Sequence, residues 1–280
     1  MRSLATLNDA QRRLLDTWLP GVTLVRDHSW GLVGTVVLEV RHGDRRLVVK
    51  AGDEADHHLA REIRAHREWL APWTEMGRAP ELLHADVGAR LLVREFLDGE
   101  LVLGGHHEWD ADTYLQAGHL LSALHQQDRS EDISYEMRQN DKALRWLDMP
   151  HRIPMHTVDR LRGEIAAWPT PPSLVVPTHG DWQPRNWLVH HGELRVIDLG
   201  RAELRPAHTD FVRLEAQQFQ RRPDLEAAFL RGYGADPREP AASHRSRVRE
   251  AIGTAAWAHQ VGDTAFEAQG LHMVATSLPG

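Results

Sequence analysis

Two short segments place oxygen-bearing side chains in a pattern that suits phosphoryl transfer from a nucleotide. The first runs from His179 to Asn186 and contains Asp181, and the second places Asp198 directly after an apolar run. This chemistry needs one carboxylate that orients the attacking hydroxyl or accepts its proton, and oxygen ligands that hold Mg²⁺ on the phosphates. One of the two aspartates suits the first task, and Asn186 with the other aspartate suits the second.

Lys50 is a second signal, because lysine is rare in this chain. Of the 33 basic residues only two are lysine, and Lys50 ends an apolar strand. A compact ammonium on a flexible stem suits point-charge contact with phosphates, whereas the planar guanidinium of arginine prefers forked contacts. Glu62 borders the apolar stripe of the next predicted helix, where its carboxylate can hold Lys50 in place.

A glycine-bearing turn precedes the strands that lead to Lys50. It contains Ser29, Gly31 and Gly34 between strands predicted at 22–27 and 35–41. Such a turn can cover phosphates with its backbone N–H groups. A simple hairpin turn explains the same residues, so the position of the turn carries more weight than its composition.

The hydrophobic periodicity predicts a strand-rich N-terminal part, a hinge and a helix-rich C-terminal part. Strands are predicted at 22–27, 35–41, 46–51, 90–96, 187–189 and 194–197. Helices are predicted at 55–73, 110–128, 137–148, 157–168, 209–231 and 244–270. Asp98 and Gly99 mark a turn between the two parts. The expected fold class is therefore α+β.

Composition narrows the class of protein further. With 280 residues the chain can form two domains or one domain in two lobes, and its formal charge of −7 argues against nucleic acid as a partner. The absence of cysteine excludes disulfides, thiolate metal sites and a cysteine nucleophile, and fits a reducing compartment. No membrane-length apolar run or signal peptide is found, so we expect a cytoplasmic protein that does not bind membranes.

The acidic excess lies in one segment. Residues 95–148 carry 12 acidic and 4 basic residues, a net charge of −8, whereas residues 1–94 have a net charge of +1 and residues 149–280 of 0. A solvated helical face explains such a run, and so does a surface that attracts a cationic ligand.

The order of these motifs resembles the aminoglycoside phosphotransferase family, whose members phosphorylate antibiotics and other small molecules. The shared order is glycine turn, strand lysine, helix glutamate, hinge, His-Gly-Asp-x4-Asn at 179–186 and Asp-x-Gly at 198–200. The resemblance implies a bilobal protein-kinase-like fold. A small antiparallel-sheet lobe with one key helix would span 1–96, and a larger, mainly helical catalytic and acceptor-binding lobe 97–280, with the hinge at about 94–99.

The resemblance also implies a role for each motif. Asp181 would be the catalytic base, Asn186 and Asp198 would hold Mg²⁺, and ATP or GTP would bind in the cleft. The implied nucleotide-binding residues are Ser29, Gly31, Gly34, Lys50, Glu62, Glu95 and Phe96. The sequence departs from the family near the base, where Trp182 replaces leucine or a smaller residue and Arg185 stands where glycine is common.

The acidic segment falls among the helices that build the acceptor site in this family. We therefore expect a cationic small-molecule acceptor, bound by a monomer or homodimer. The candidate contacts are Asp98, Glu100, Glu108, Asp110, Asp112, Glu131, Asp132, Glu136 and Trp182. An antibiotic is the leading acceptor, either an aminoglycoside or a basic cyclic peptide such as viomycin or capreomycin.

Three alternatives remain open. A metabolic kinase acting on choline, homoserine, a fructosamine or an amino sugar would use the same site. A metal-dependent phosphoesterase could use His179 as a ligand, but this leaves Lys50, Glu62 and Asn186 unexplained. A catalytically silent kinase-like binding protein is disfavoured by the intact set of motif residues.

Overall fold

The computed structural model describes residues 4–31 and 34–278 of a mixed α and β chain. The strands are β1 Thr23–Asp27, β2 Val36–His42, β3 Arg45–Ala51, β4 Leu82–Asp86, β5 Leu91–Glu95, β6 Glu100–Leu101, β7 Ser130–Asp132, β8 Ser173–Thr178, β9 Trp187–His190, β10 Glu193–Val196 and β11 Glu203–Arg205. The helices are α1 Asp9–Trp18, α2 His58–Glu68, α3 Ala71–Thr74, α4 Ala111–His125, α5 Tyr135–Asp148, α6 Met155–Ala167, α7 Val212–Leu214, α8 Pro223–Tyr233, α9 Pro240–Val261 and α10 Thr264–Ser277.

A five-stranded antiparallel sheet has the order β1-β2-β3-β5-β4. Side chains alternate between the faces of a strand, and here the alternation decides where the charged residues point. Val49 and Val93 lie on the face that packs with Leu15 of α1. The opposite face of β3 and β5 carries Lys50 and Arg94, on the side where Leu92 packs with α2.

The predicted helix 55–73 is two helices in the structure. Helix α2 ends at Glu68 and α3 begins at Ala71, with Pro72 in its first turn. Proline has no backbone N–H to continue the hydrogen-bond ladder, so the helix stops before it. The start of α2 is fixed by Asp56, whose Oδ1 accepts hydrogen bonds from the backbone N–H groups of His58 and Leu59 at 2.8 and 2.9 Å.

Strands β9 and β10 form a hairpin that carries two of the motif residues at its open end. His191 and Gly192 make the turn, both with positive φ, and Trp187 pairs with Val196. This register places Asn186, just before β9, beside Ile197, just after β10; the Ile197 N–H donates to the Asn186 carbonyl at 3.0 Å.

The chain divides into two compact units, and each unit is built from three separate stretches of the sequence. The first contains Met1–Gln127, His179–Glu203 and Asp224–Gly234, and the second contains Asp128–Thr178, Leu204–Pro223 and Ala235–Gly280. All of the motif residues from Ser29 to Asp198 lie in the first unit. The two-lobe division at residue 96 stays a prediction.

In the first unit, helices α4 and α8 cross at glycines. A Cβ atom added at Gly118 would lie 2.1 Å from the Phe229 carbonyl oxygen, and one at Gly232 would lie 2.0 Å from the Leu115 carbonyl oxygen. Only glycine permits such close approach of two backbones. This packing joins α8 to the unit that holds the site.

The second unit is mainly helical. Val158, Leu161, Val248, Ile252 and Val274 belong to its core. The helix predicted at 244–270 is broken at Gly262, whose φ of 75° ends α9. The helix predicted at 209–231 is likewise interrupted, and α8 begins only at Pro223. Among the described residues, no helix combines the length and apolar character needed to cross a membrane.

Candidate active site

Lys50 lies at the centre of a buried ion cluster. Its Nζ donates to Glu62 Oε2 at 2.8 Å and to Asp198 Oδ1 at 3.0 Å. Lys50 and Glu62 are 6% and 2% exposed. The expected contact between Lys50 and Glu62 is therefore present, and the lysine joins α2 to the segment after β10; the role of this pair in nucleotide binding stays a prediction.

The charges of this cluster are fixed by its contacts. Burial disfavours the charged form of Lys50, but Asp198 and Glu62 outweigh it, so the pKa of Lys50 is raised. The Lys50 ammonium in turn lowers the pKa of Asp198 to about 2. Both groups are ionised at neutral pH. The Asp198 side chain is also 50% exposed, which leaves its carboxylate accessible to a ligand.

The segment around Asp198 is held in an unusual conformation. Asp198 has a φ of 65°, a left-handed region that non-glycine residues rarely adopt. His58 at the start of α2 bonds through Nδ1 to the Gly200 carbonyl at 2.9 Å. These contacts direct the Asp198 carboxylate toward Lys50.

Asp181 is positioned by His179. The Asp181 N–H donates to His179 Nδ1 at 3.3 Å, and His179 Nε2 bonds the Ile197 carbonyl at 3.1 Å. His179 is fully buried. Since both ring nitrogens have protein partners, His179 does not offer a nitrogen to a metal, which removes the basis of the phosphoesterase alternative.

The Asp181 carboxylate is buried among hydrogen-bond donors. Oδ1 accepts from Gln183 Nε2 at 2.5 Å. Oδ2 accepts from Asn186 Nδ2 at 2.9 Å and from Arg185 Nη2 at 2.6 Å. Asn186 Nδ2 also donates to the Asp181 carbonyl at 2.8 Å, which orients the amide and leaves Oδ1 as its ligand atom. Carboxylate and amide oxygens are the donors that Mg²⁺ prefers, so Asn186 and Asp198 fit this ion.

The glycine turn is fixed by short polar contacts. Ser29 Oγ accepts a hydrogen bond from the Val37 N–H at 3.0 Å. Gly31 has a φ of 83°. A Cβ atom at Gly34 would lie 1.8 Å from Asp53 Oδ2, so only glycine fits there. Residues 32 and 33 lie outside the described part of the chain, and the role of this turn in phosphate binding stays a prediction.

Backbone groups of the predicted hinge form hydrogen bonds with other groups of the protein. Arg94 Nη1 donates to the Glu95 carbonyl at 3.2 Å, and the Phe96 N–H donates to the Arg46 carbonyl at 3.2 Å. The guanidinium of Arg46 also lies 3.8 Å from the centre of the Phe96 ring. The contact of Glu95 and Phe96 with a nucleotide base stays a prediction.

The acidic segment divides between the two compact units, and several of its carboxylates have protein partners. Asp98 pairs with Arg46, Glu108 accepts from the Gly104 N–H, and hydrogen bonds from Arg138 lower the pKa of Asp132 to about 2. Asp110 caps α4 through the Asp112 N–H. Glu100, Asp112 and Glu131 are exposed. Glu100 also lies with His106 and His107 on the surface, their ligand atoms within 4.8 Å of one another.

Two residues leave the set of acceptor candidates. Trp182 is fully buried and packs against Trp73, His179 and Trp187, so it forms part of the core beside residues 179–186 and does not contact an acceptor. Glu136 is 2% exposed and its Oε2 accepts hydrogen bonds from Arg245 and Arg249. Its carboxylate is therefore neutralised inside the second unit.

Arg94 and His66 belong to the ion cluster, although their sequence context did not mark them as functional. Arg94 is 5% exposed, and its Nε lies 4.0 Å from Glu62 Oε1. Among the described residues, neither ring nitrogen of His66 has a hydrogen-bond partner. The available signal was positional, since Arg94 follows an apolar strand run and His66 lies one helical turn after Glu62.

His66 makes the stability of the protein depend on pH. Burial, with Arg94 and Lys50 nearby, lowers the pKa of His66 to about 3. Below pH of about 6.5 the unfolded chain binds a proton that folded His66 does not, so the free energy of unfolding falls as the pH drops toward 3. We expect His66→Leu to reduce this slope by up to about 1.4 kcal/mol per pH unit.

Urea unfolding at several pH values between about 7 and 4.5 measures this slope. The exposed His156 provides a matched control, because His156→Leu should keep the wild-type slope. An unchanged slope in the His66 variant contradicts the assignment.

The fold and the site define a phosphotransferase of the protein-kinase-like class. Residues 30–244 match the phosphotransferase enzyme family (APH), and the chain belongs to this family. A search among curated proteins finds no match.

Solved structures share the fold at low sequence identity. Aminoglycoside phosphotransferase APH(4)-Ia, in a ternary complex with ADP and hygromycin B, is 13% identical with a TM-score of 0.68, covering 96% of this chain and 98% of that one. A choline/ethanolamine kinase family protein from Mesorhizobium loti is 18% identical with a TM-score of 0.62, covering 97% and 95%. Spectinomycin phosphotransferase APH(9)-Ia, in complex with ADP and spectinomycin, is 11% identical with a TM-score of 0.64, covering 95% and 96%. The predicted fold class is confirmed.

Proposed function

We propose that this protein transfers the γ-phosphoryl group of ATP or GTP to a hydroxyl group of a cationic small molecule. The observation that carries the proposal is the presence, in one compact unit, of the Lys50–Glu62–Asp198 cluster and the hydrogen-bonded pair Asp181–Asn186. Complexes with ADP among the similar structures support nucleotide binding.

Each residue of the site has a task in this reaction. Lys50, held by Glu62, places its ammonium on the phosphates. Asn186 and Asp198 hold Mg²⁺, which when bound supplies positive charge to the phosphates. Asp181 orients the acceptor hydroxyl and takes its proton as the oxygen attacks phosphorus.

An antibiotic is the acceptor that we favour. Aminoglycosides and basic cyclic peptides are cationic and carry hydroxyl groups, and an acidic surface concentrates such ligands. Two of the similar structures carry an aminoglycoside or spectinomycin. Phosphorylation of the antibiotic would give resistance to the cell that makes the enzyme.

A metabolic kinase is the second candidate, favoured by the similarity to a choline/ethanolamine kinase family protein. One experiment separates the two. Nucleotide consumption is measured with aminoglycosides, viomycin, capreomycin, spectinomycin, choline, homoserine, a fructosamine and amino sugars, and product mass shows whether one phosphate is added. Turnover with antibiotics alone supports resistance, and turnover with choline, homoserine, a fructosamine or an amino sugar alone supports the metabolic role. No product from any acceptor overturns the proposal.

The exposed acidic residues should set the affinity for a cationic acceptor. We expect the triple variant Glu100→Gln, Asp112→Asn and Glu131→Gln to raise KM for the acceptor by about threefold or more and to weaken its dependence on ionic strength. The reason is the loss of three negative charges that attract the ligand from solution. Steady-state kinetics at low and high salt provide the measurement.

A matched control removes the same number of charges outside the segment. Asp16→Asn, Glu68→Gln and Glu75→Gln change exposed residues of the same two types. Equal effects of the two triple variants would show that the acidic segment is a solvated surface with no specific role in attracting the acceptor.

A further inference from the structure

The guanidinium of Arg185 forms an ion pair with Asp181, the carboxylate that we propose as the base. Arg185 Nε and Nη2 donate to Asp181 Oδ2 at 3.2 and 2.6 Å. Asp181 is 3% exposed, whereas the Arg185 side chain is 41% exposed. The contact therefore joins a buried anion to a cation that remains open to solvent on its other side.

The hydrogen bonds to the Asp181 carboxylate restrict where it can accept a proton. Oδ1 accepts from Gln183, and Oδ2 accepts from both Asn186 and Arg185. Both lone pairs of Oδ2 are therefore in use, so an acceptor hydroxyl can bond to Oδ2 only after Asn186 or Arg185 moves away. Gln183 and Asn186 are buried, so Arg185 is the donor with room to move.

The site also needs a cation for the transferring group. Lys50 is shared between Glu62 and Asp198, and Arg94 is buried beside Glu62. Phosphoryl transfer proceeds through a transition state whose charge is spread over three equatorial oxygens, and an arginine supplied at that point accelerates it strongly. Arg185 is the guanidinium in this cluster that combines solvent access with contact to the base.

We propose that Arg185 is a catalytic residue whose guanidinium leaves the Asp181 carboxylate and contacts the γ-phosphoryl group. This inference rests on the proposed function. The Arg185 guanidinium moves from the Asp181 carboxylate to the γ-phosphate when nucleotide binds. This movement frees Oδ2 for the acceptor hydroxyl.

The reaction balances without a proton from Arg185. The acceptor oxygen forms its bond to the γ-phosphorus and passes its proton to Asp181. The bond from the γ-phosphorus to the β,γ-bridging oxygen breaks, and its electron pair leaves with the nucleoside diphosphate. Arg185 stays protonated throughout, since the guanidinium group does not lose its proton in proteins.

The test compares ligands that differ in the γ-phosphate. Calorimetry measures the affinity of Mg·AMP-PNP and of Mg·ADP for the wild type, Arg185→Gln and Arg185→Lys. We expect Arg185→Gln to weaken Mg·AMP-PNP about tenfold while Mg·ADP changes by less than about twofold, with Arg185→Lys between the wild type and the glutamine variant. The exposed Arg13 on α1 gives a matched control, and Arg13→Gln should change neither affinity.

A second variant removes the concern that the substitution disturbs the loop. In Arg185→Gly, added guanidinium ion should restore part of the preference for Mg·AMP-PNP over Mg·ADP, since the ion can occupy the space of the missing side chain. Equal weakening of both ligands, or no weakening, overturns the assignment of Arg185. Failure of the wild type to bind either nucleotide overturns the proposed function instead.

Discussion

Asp181→Asn should lower kcat for phosphoryl transfer by about 10³-fold while the affinity for nucleotide stays within about threefold of the wild type. The amide has nearly the same shape as the carboxylate but does not accept the hydroxyl proton. The nucleotide contacts that we propose come from Lys50, Arg185, Asn186 and Asp198, and the substitution leaves all four in place, so binding should survive. Asp181→Ala, a second variant, should lose turnover to a similar extent.

The measurement combines turnover with calorimetry of Mg·AMP-PNP binding. The chain has ten tryptophans, and Trp182 is one of those that are buried, so tryptophan fluorescence reports whether the variant keeps the packing of the fold. Asp16→Asn serves as the control for an exposed aspartate. Normal turnover in the Asp181 variant, with an intact fluorescence spectrum, removes Asp181 from the role of base.

Asp198→Ala should abolish the part of nucleotide binding that depends on Mg²⁺. The carboxylate is ionised because Lys50 lowers its pKa to about 2, and its exposed side can coordinate a cation. Asn186 alone offers a neutral oxygen, which holds a divalent ion weakly. In the wild type we expect Mg²⁺ to tighten AMP-PNP binding by about tenfold or more, and in the variant to have no effect.

Thermal unfolding with and without Mg·AMP-PNP offers an independent readout, because a ligand that binds the folded state raises the melting temperature. In the variant Lys50 and Arg94 share the single carboxylate of Glu62, so the melting temperature is compared with and without ligand within each protein. A wild-type Mg²⁺-dependent shift in the Asp198 variant contradicts the metal assignment.

Much of the site could be predicted from the sequence because its residues are ordered by strands. Lys50 ends an apolar strand and Glu62 follows it on an amphipathic helix, and period-two alternation on β3 places the lysine on the α2 side. Likewise, an apolar hairpin between Asn186 and Asp198 brings both to one end. Local patterns of this kind hold the information because the contacts they imply are set by neighbouring elements.

Other features were not predictable from local patterns. Trp182 follows Asp181 in sequence, yet its side chain packs against Trp73 of α3 and Trp187 of β9. The partners of Glu136, which are Arg245 and Arg249, lie more than 100 positions along the chain. Charge counting identified the acidic segment but not which carboxylates were already paired. Such pairings depend on tertiary packing.

The predicted helix boundaries were wrong for a different reason. The apolar stripe continues from α2 through Trp73, and the periodicity alone predicts one helix. Pro72 and Gly262 interrupt the hydrogen-bond ladder without interrupting the stripe. Because burial and backbone bonding are separate requirements, the stripe predicts which face is buried more reliably than where the helix ends.

We propose that Lys50, Asn186 and Asp198 converge on one bound nucleotide. A crystal structure with Mn²⁺ and AMP-PNP tests it directly, since the anomalous signal of Mn²⁺ locates the ion. We predict a peak at about 2.2 Å from oxygens of both Asn186 and Asp198, with Lys50 Nζ on the phosphates. A nucleotide bound elsewhere, or an ion that touches neither side chain, would show that these three residues do not form the nucleotide site.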